Sequence, residues 1–572
     1  MKKLNKTFKI NPLYEADGYK IGHPLMIAPN TDFEYWTWIP RSLKHMHPSI
    51  TKAMSAGQQL VWRYIHSSFQ ENFFGKSIKE TKKFTKDMSK YLGIPYNFKG
   101  FKKLHKLGYL PVHIKALPEG IFTNPNIPHM TGVNTVKGYA WLGLFLETMV
   151  SKLSWQMPTV ATIGNKFKNN AVEWTLKTDK ENIALTDFMC HDFHSRGGNP
   201  FTSIAVSLGH SLSNLGSDTL NAIPASRYYY DFDEKDVPVY SVNASEHSVT
   251  CTGIFYYKDL LEKGKLDKEI EKYYNFDVPC DGNVDNPDYL AIAEYLNLRD
   301  WLKKFPTGIL SVVSDTFNLW KLITFVLPRL KEEILARDGK LVIRPDSGDP
   351  VDITCGNNIN TFESLLEAEK EYRGNVQGDL NFRVKDVFYT VIQHSDSDFK
   401  YKLVSDINSS KGVVELLYDI FGGTINEQGY KVLDSHIGAI YGDAINLDRQ
   451  IAMYTRLEAK GFAATNIVVG VGSYTYVFLT RDSMGFAAKG AWFKSGDKEF
   501  NIYKDPITDD GTKKSLKGKC SVLLNTTNNE YWVNTECTKE EEKEGYLQTI
   551  YKDGKFKNQT TLTEIRNRIK GL

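Results

Sequence analysis

The sequence predicts an α/β fold whose main domain is an α/β barrel. From about residue 183 onward, short apolar runs lead into polar loops, and helix-like stretches follow them. Two strand-to-strand steps, 311 to 342 and 438 to 468, are about 30 residues long, the length of one βα unit. Polar residues follow the carboxyl end of each strand, where a barrel places its active site. A doubly wound sheet also collects polar residues there, but the number of such strands favours the barrel.

The clearest strand end lies at residues 341–350. The apolar run at 341–343 stops abruptly at Arg344, and Asp346 follows within a loop whose turn is set by Pro345 and Gly348. The Arg offers a planar fork of donors that suits a phosphate or a stacked ring. The Asp offers acceptors for hydroxyls or a metal. Both side chains can therefore face one small ligand.

The domain organisation follows from these patterns. Residues 151–487 are predicted to form the barrel, with insertions near 256–298 and 355–430 that we expect on its outside because they are rich in polar residues and Tyr. Residues 1–150 begin a second, mixed α+β domain. Residues 488–572 are strand-like and turn-rich, and we expect them to return to that domain.

Composition excludes several classes of protein. The chain has 572 residues, 41% hydrophobic and 24% charged, and a formal charge of +3, which gives no support to nucleic-acid binding. No apolar run is long enough to span a membrane, and the start of the sequence lacks the apolar segment of a signal peptide. The six cysteines are far apart and form no CxxC pair, so we expect reduced thiols in a cytoplasmic protein.

Each loop taken alone is weak evidence of function. His247 after Glu246 could be structural, Asp443 could cap the next helix, and Gly472 with Ser473 could form a plain turn. Together the loops supply a His near carboxylates, Asp residues for a diol, two Arg and a Gly-rich turn. This combination suits a phosphorylated sugar whose anomeric carbon reacts.

The order and spacing of these motifs resemble the nicotinamide phosphoribosyltransferase family, which is of the type II phosphoribosyltransferase fold. The resemblance covers nearly the whole chain outside the insertions. It rests on DGYK (17–20), HDFHSRG (191–197), GSDT (216–219), SV (241–242), EHS (246–248), SVVSD (311–315), IRPDSG (343–348), GD (442–443), LTRD (479–482) and YKDP (503–506).

The resemblance implies a reaction. Nicotinamide and phosphoribosyl pyrophosphate give nicotinamide mononucleotide and pyrophosphate through an oxocarbenium-like transition state, stabilised by positioning and charge. Mg²⁺ is expected on the pyrophosphate, held by substrate oxygens and by no protein side chain. ATP is expected as an activating phosphoryl donor, and a homodimer with shared active sites is implied.

The resemblance also implies residue roles. Phe193 and Tyr19 of the partner subunit would sandwich the nicotinamide ring, and Asp218 would accept a hydrogen bond from the carboxamide. Because an ionised Asp repels the carboxylate of nicotinate, nicotinamide is the preferred base. Asp346 and Asp443 would hold ribose hydroxyls.

The remaining roles concern charge and phosphate. His247 would be phosphorylated by ATP, with Glu246 and Asp315 orienting it, and Arg344 would lie near the ring. The expected ligands of sugar, phosphate and pyrophosphate are Arg41, Arg196, Ser241, Ser311, Gly442, Gly472, Ser473, Arg481, Lys489, Lys504, Lys513 and Lys519.

One departure from the family pattern leaves the shape of the pocket open. Ser473 and Tyr474 replace glycines of the family's Gly-rich loop, so Tyr474 either narrows the pocket or turns outward.

The rival functions are a nicotinate phosphoribosyltransferase, which Asp218 disfavours, a non-catalytic binding protein on the same fold, which the charged set disfavours, and, more distantly, another sugar-phosphate barrel enzyme.

Overall fold

A sheet of seven parallel strands forms the centre of the molecule. The computed structural model describes residues 9–571 apart from 275–288, 358–359, 374–380, 386, 395–398, 404–406 and 509–513. The strands lie in the order β2-β1-β7-β6-β5-β4-β3. In chain order they are β1 (Cys190–Asp192), β2 (Gly216–Ser217), β3 (Asn243–Ala244), β4 (Thr307–Val313), β5 (Asp338–Arg344), β6 (Ile437–Tyr441) and β7 (Ile467–Val471). The predicted α/β class is confirmed.

The backbone of Tyr240 joins the two ends of this sheet. Its N–H donates to the carbonyl of Leu215 at 2.7 Å, and its carbonyl accepts from the N–H of Ser217 at 2.9 Å. The chain then enters β3 three residues later. This bridge and the chain segment from Tyr240 to β3 connect the two edge strands, so the sheet curls as in a barrel.

Helices cover the outside of the barrel and exclude water from its strands. Ile343, Val469 and Val471 are fully buried, as expected for parallel strands that are covered on both faces. The helices of this unit are Gln156–Thr178, Pro200–Ser211, Ala222–Tyr230, His247–Glu262, Asp267–Tyr274, Tyr289–Lys304, Leu319–Lys321, Leu327–Arg329, Lys331–Leu335, Pro350–Cys355, Asn408–Phe421, Leu447–Ala459 and Ser473–Tyr476.

A second, antiparallel sheet combines strands from both ends of the chain. Its order is Lys498–Asn501, Ala487–Ser495, Thr31–Ile39, Met130–Asn134, Val112–Ala116, Gln548–Lys552 and Lys555–Phe556. Trp38 and Phe486 stack in its core with ring centroids 5.3 Å apart. The helices of this unit are His23–Met26, Gln58–Phe69, Ile78–Leu92, Gly100–Leu107, Trp141–Ser154 and Leu562–Lys570, and a hairpin of Cys520–Asn525 with Glu530–Thr535 lies beside the sheet.

One strand of the barrel begins later than the sequence suggests. The apolar residues at 183–185 indicate a strand, but they lie in a 3₁₀ helix, Lys180–Asp187. Ile183 and Leu185 remain exposed to solvent, so this segment has no buried face to form a barrel strand. The strand is β1, which begins at Cys190.

The first insertion is only partly external. The expectation that all of 256–298 lies outside is wrong for the helix Tyr289–Lys304, which packs against the helix His247–Glu262 within the barrel core. Ile292 and Tyr295 are fully buried. Apolar residues surround this helix on most of its circumference, which is typical of a buried helix. Polar residues earlier in the segment conceal this pattern.

The second insertion contains a small sheet with its own core. Strands Asn360–Phe362, Asn381–Val384, Val387–His394 and Phe399–Leu403 form it, and the helix Leu365–Tyr372 packs on it through the buried residues Ala368 and Tyr372. The following helix, Asn408–Phe421, belongs instead to the barrel core.

Two further expectations concern cysteines and membranes. The five cysteines in the described ranges are free thiols, and Cys280 lies outside those ranges. Within the residues that the structure describes, no helix has the length and apolar character needed to cross a membrane.

Removal of residues 358–406 is predicted to leave the barrel folded. The segments on either side are in contact, because a Cβ added to Gly412 would lie 2.1 Å from the backbone nitrogen of Gly356. A short Gly-Ser linker can therefore replace the small sheet, and the free energy of unfolding should change by less than about 1 kcal/mol. As a control, Leu417→Ala in the barrel core should cost about 2–5 kcal/mol. Denaturant unfolding measures both, and loss of a cooperative transition on deletion would contradict the prediction.

Candidate active site

The predicted functional residues gather where the barrel strands end. Because all seven strands are parallel, their carboxyl ends open onto one rim. Phe193 follows β1, Asp218 follows β2, Asp315 lies two residues after the end of β4, and Gly442 and Gly472 follow β6 and β7.

Phe193 supplies a flat aromatic surface at this rim. Its N–H donates to the carbonyl of Val471 at 2.9 Å. Its ring lies on two glycines, since an added Cβ would sit 2.3 Å from the ring at Gly470 and 3.6 Å from it at Gly442. The His191 ring lies 4.8 Å from the Phe193 ring at an angle of 36°. The pair can stack a planar ligand.

Asp218 places an ionised acceptor close to these rings. His191 Nε2 lies 3.1 Å from Asp218 Oδ1, and the hydroxyl of Ser241 donates to the same oxygen. Burial raises the pKa of the Asp218 carboxyl, but the hydrogen bond and charge of His191 and the Ser241 hydroxyl outweigh it and lower the pKa below its usual value. Asp218 therefore carries a negative charge at neutral pH.

His247 stands between two carboxylates. It is the first residue of the helix His247–Glu262. Its Nε2 lies 3.6 Å from Asp315 Oδ1 and 4.0 Å from Asp346 Oδ2, and its Nδ1 lies 3.2 Å from the hydroxyl of Thr316. The side chain is 47% exposed, whereas that of Asp315 is 7% exposed. One face of the imidazole is thus open to a ligand while buried groups orient the other.

The loop after β5 holds Arg344 and Asp346 together. Arg344 Nη2 donates to the carbonyl of Ser245 at 2.6 Å, and Nη1 lies 3.9 Å from Asp346 Oδ1. The N–H of Asp346 donates to Asp315 at 2.9 Å. Gly348 has a φ of 94°, in the left-handed region that favours glycine. The turn expected from the sequence is present, and it brings Asp346 towards His247.

The loop after β7 packs on the loop that carries Arg196. An added Cβ at Gly197 would lie 2.3 Å from the Cβ of Ser473, so the two loops are in direct contact. Gly472 has open space around it. Tyr474 turns outward: it is 56% exposed and stacks in parallel with Phe478.

The segment after β6 is strained. Asp443 is exposed, and Ala444 has a φ of 50°, which is uncommon for a residue with a side chain. The guanidinium of Arg449 donates to the carbonyl of Ala444, and the hydroxyl of Thr475 donates to that of Ile445 at 2.5 Å. Such backbone strain is often found at functional sites.

Three predicted residues have other surroundings. Ser311 is buried within β4, where its carbonyl accepts from the N–H of Ser245. Glu246 accepts from the hydroxyl of Ser248. Tyr19 is 65% exposed on the antiparallel unit and packs against His23, with ring centroids 5.1 Å apart.

Four of the basic residues expected to bind pyrophosphate, Arg41, Lys489, Lys504 and Lys519, lie on the antiparallel unit. Burial lowers the pKa of Lys489; Glu147 raises it, and the charges of Arg41 and Lys504 lower it further. These three cations are therefore close enough to interact. Lys519 lies 3.9 Å from the centroid of the Trp492 ring.

Two further cations complete this set. Arg481 is half exposed beside Asp482 at 3.6 Å. Lys513 lies outside the described residues.

Sequence reasoning missed three residues that shape the rim. His191 contacts both Phe193 and Asp218, Asp192 is fully buried beneath them, and Thr316 contacts His247. The period of two along β1 places His191 and Phe193 on the same face, and this signal could have identified His191.

Similarity to known proteins identifies the class to which this chain belongs. The model of the nicotinate phosphoribosyltransferase family matches residues 188–555. The chain belongs to this family, and it is therefore a phosphoribosyltransferase, an enzyme that transfers a pentosyl group.

Two relatives that align with the chain over nearly their full length are both named nicotinamide phosphoribosyltransferases. A nicotinamide phosphoribosyltransferase of Acinetobacter baylyi is 33% identical, with 98% of each chain covered. A nicotinamide phosphoribosyltransferase of Xanthomonas campestris pv. campestris is 26% identical, with 97% of each covered. The crystal structure of human nicotinic acid phosphoribosyltransferase shares the fold, with a TM-score of 0.50 and 14% identity over 97% of this chain and 92% of that one.

Substitution Gly470→Ala is predicted to weaken binding of the pyridine base. The new methyl group overlaps the Phe193 ring, which must turn away from its position on the strands. Loss of one stacking surface costs about 0.5–1.5 kcal/mol in addition to the free energy of burying its apolar area. The KM for the base should therefore rise on the order of tenfold. Steady-state kinetics with varied base measures this. Gly438→Ala on β6 is the control, because its new methyl group meets mainly the flexible end of Lys340. An unchanged KM in Gly470→Ala would contradict the prediction.

Proposed function

We propose that the chain transfers the phosphoribosyl group of phosphoribosyl pyrophosphate to nicotinamide, giving nicotinamide mononucleotide and pyrophosphate in the salvage route to NAD. The observation that carries this proposal is the ionised Asp218 carboxylate close to the Phe193 and His191 rings. The names of the two full-length relatives support it.

The choice of base follows from the charge of Asp218. A carboxamide NH₂ can donate to this carboxylate, and a hydrogen bond to a charged group is worth about 1.5–3 kcal/mol. The carboxylate of nicotinate is repelled by the same oxygen. A nicotinate phosphoribosyltransferase remains the second candidate, because the family model bears that name.

The chemistry takes place at C1 of the ribose. The pyridine nitrogen attacks C1 while the bond to pyrophosphate breaks, and positive charge develops on the sugar ring. Asp346 and Asp443 accept hydrogen bonds from the ribose hydroxyls and hold C1 in line with the nitrogen lone pair, which lies in the plane of the ring that stacks on Phe193. Mg²⁺ bound to the pyrophosphate oxygens would supply charge neutralisation to the leaving group and would need no protein side chain as a ligand.

His247 is the candidate for phosphorylation by ATP. Its imidazole is half exposed, and Asp315 and Asp346 lie on the Nε2 side of the ring. Proton transfer to these carboxylates and stabilisation of an imidazolium support a nucleophilic His. The phosphorylated enzyme then favours product formation.

The complete site requires a second subunit. The acidic groups lie on the barrel rim, whereas Tyr19, Arg41, Lys489 and Lys504 belong to the antiparallel unit. In a homodimer, the antiparallel unit of one protomer covers the rim of its partner and supplies the cations for pyrophosphate. We place the enzyme in the cytoplasm, on the ground of its scattered cysteines.

Purified protein is predicted to form nicotinamide mononucleotide from nicotinamide, phosphoribosyl pyrophosphate and Mg²⁺. Nicotinate should react at least tenfold more slowly. Asp218→Asn should lower kcat/KM for nicotinamide about tenfold or more and shift the preference towards nicotinate. Asp233→Asn, on an exposed loop, is the matched control. Product from nicotinate alone would show that the assignment of Asp218 is wrong, and no product from either base would favour a binding protein.

The ATP step is tested by His247→Ala. Stimulation by ATP, measured as the ratio of rates with and without it, should disappear because the phosphorylated atom is missing. His436→Ala is the control, since His436 also pairs with an Asp at 2.7 Å but precedes β6 at the opposite end of the barrel. Full ATP stimulation in His247→Ala would sink the proposal.

Mixed dimers test the shared site. Asp346→Ala and Lys489→Ala homodimers should both be nearly inactive. In a heterodimer of the two, one site contains both wild-type halves, so about half of the wild-type activity should return. A tagged, co-expressed and purified heterodimer gives the measurement. Absence of recovery would mean that each chain builds its site alone.

A further inference from the structure

Asp192 is the most deeply buried charged residue beneath the base-binding rings. It ends β1, its side chain has no exposed surface, and the mechanism above does not use it. Burial raises the pKa of this carboxyl, but the hydrogen bonds and charge of His194 outweigh burial and hold the pKa well below its usual range. A buried ionised carboxylate is costly unless donors surround it.

One oxygen of Asp192 shapes the backbone at Phe193. Asp192 Oδ1 accepts from the backbone N–H of His194 at 3.0 Å and lies 2.7 Å from His194 Nδ1. These two contacts bridge Phe193, which stands between the bonded residues. The backbone on either side of the stacking ring is thus held by one carboxylate oxygen.

The other oxygen shapes the backbone at Asp218. Asp192 Oδ2 accepts from the hydroxyl of Ser217 at 3.0 Å, and that hydroxyl accepts from the N–H of Thr219 at 3.0 Å. The N–H of Asp218 donates to the carbonyl of Asp192, also at 3.0 Å. The residues on both sides of Asp218 are therefore tied to Asp192.

We propose that Asp192 is a positioning residue that sets the separation between the Phe193 ring and the Asp218 carboxylate, and thereby recognition of the nicotinamide carboxamide. It contacts no substrate. Nicotinamide must stack on the Phe193 ring and donate to the Asp218 carboxylate at the same time. A change in the distance between these two groups therefore weakens either the stacking or the hydrogen bond. This inference deepens the proposed function and rests on it.

A carboxylate is required because three donors converge on its two oxygens. An amide presents one oxygen and one NH₂ group. With the oxygen towards His194, the NH₂ faces Ser217, whose hydroxyl then loses its acceptor. With the oxygen towards Ser217, the NH₂ opposes the two donors of His194. Either arrangement leaves a buried donor unsatisfied.

Asp192→Asn should therefore raise the KM for nicotinamide on the order of tenfold, leave the KM for phosphoribosyl pyrophosphate within about twofold, and reduce discrimination against nicotinate. The matched control is Asp179→Asn. Asp179 is 1% exposed and accepts from Asn182 and Thr465, which precedes β7 at the opposite end of the barrel. The control should lower the melting temperature without a selective effect on nicotinamide.

A second pair of variants covers failure of Asp192→Asn to fold. His194→Ala removes the side-chain donor, whereas His194→Asn keeps an N–H near the Nδ1 position. His194→Ala should raise the KM for nicotinamide severalfold, and His194→Asn should restore it.

Four results would overturn the proposal. Three of them concern Asp192→Asn: a parallel rise in the KM of both substrates, a lower melting temperature without a change in KM, or wild-type behaviour throughout. The fourth is wild-type kinetics in both His194 variants. An active wild type with any of these results contradicts only the role of Asp192. A wild type that forms no product from nicotinamide contradicts the proposed function as well.

Discussion

Parallel pairing of the barrel strands is the constraint on which the site depends. Residues separated by 250 positions, such as Phe193 and Asp443, share a rim only because their strands run in the same direction and the sheet curls so that Tyr240 bonds to β2. The strands β2 and β3 have two residues each. Their alignment therefore relies on the bonds of Tyr240 to Leu215 and Ser217 and on the contacts of the loops that follow them.

The sequence predicts this rim well because its signals are local. An apolar run followed by a charged or glycine-containing loop predicts a strand end at β4, β5, β6 and β7, and the structure has strands there. The turn after Arg344 is predicted equally well, since Gly348 takes the left-handed conformation that the loop needs. Local chemistry thus gives the type of each element and the face on which its useful residues lie.

Long-range packing is harder to predict from the sequence. The stretch at 183–185 has the composition of a strand, yet no neighbour covers it, and it forms a 3₁₀ helix. The helix Tyr289–Lys304 follows a polar segment and still enters the barrel core. Asp192 lies within a recognisable motif, but only the three-dimensional contacts with His194 and Ser217 show that its carboxylate joins two loops. Burial decides each of these cases, and burial depends on distant parts of the chain.

The distribution of charge gives a physical reason for the proposal that two structural units serve one reaction. Asp218, Asp315, Asp346 and Asp443 give the barrel rim a strongly acidic character that suits an amide, a ribose diol and a developing positive charge at C1. The same carboxylates repel pyrophosphate, so cations must approach from another direction. Arg41, Lys489 and Lys504 are grouped on the antiparallel unit, where mutual repulsion lowers the pKa of Lys489 in addition to the effect of burial. Glu147 offsets part of this repulsion. In the proposed function, the pyrophosphate group of phosphoribosyl pyrophosphate would offset more of it, while the ribose hydroxyls of the same substrate would donate to the acidic rim.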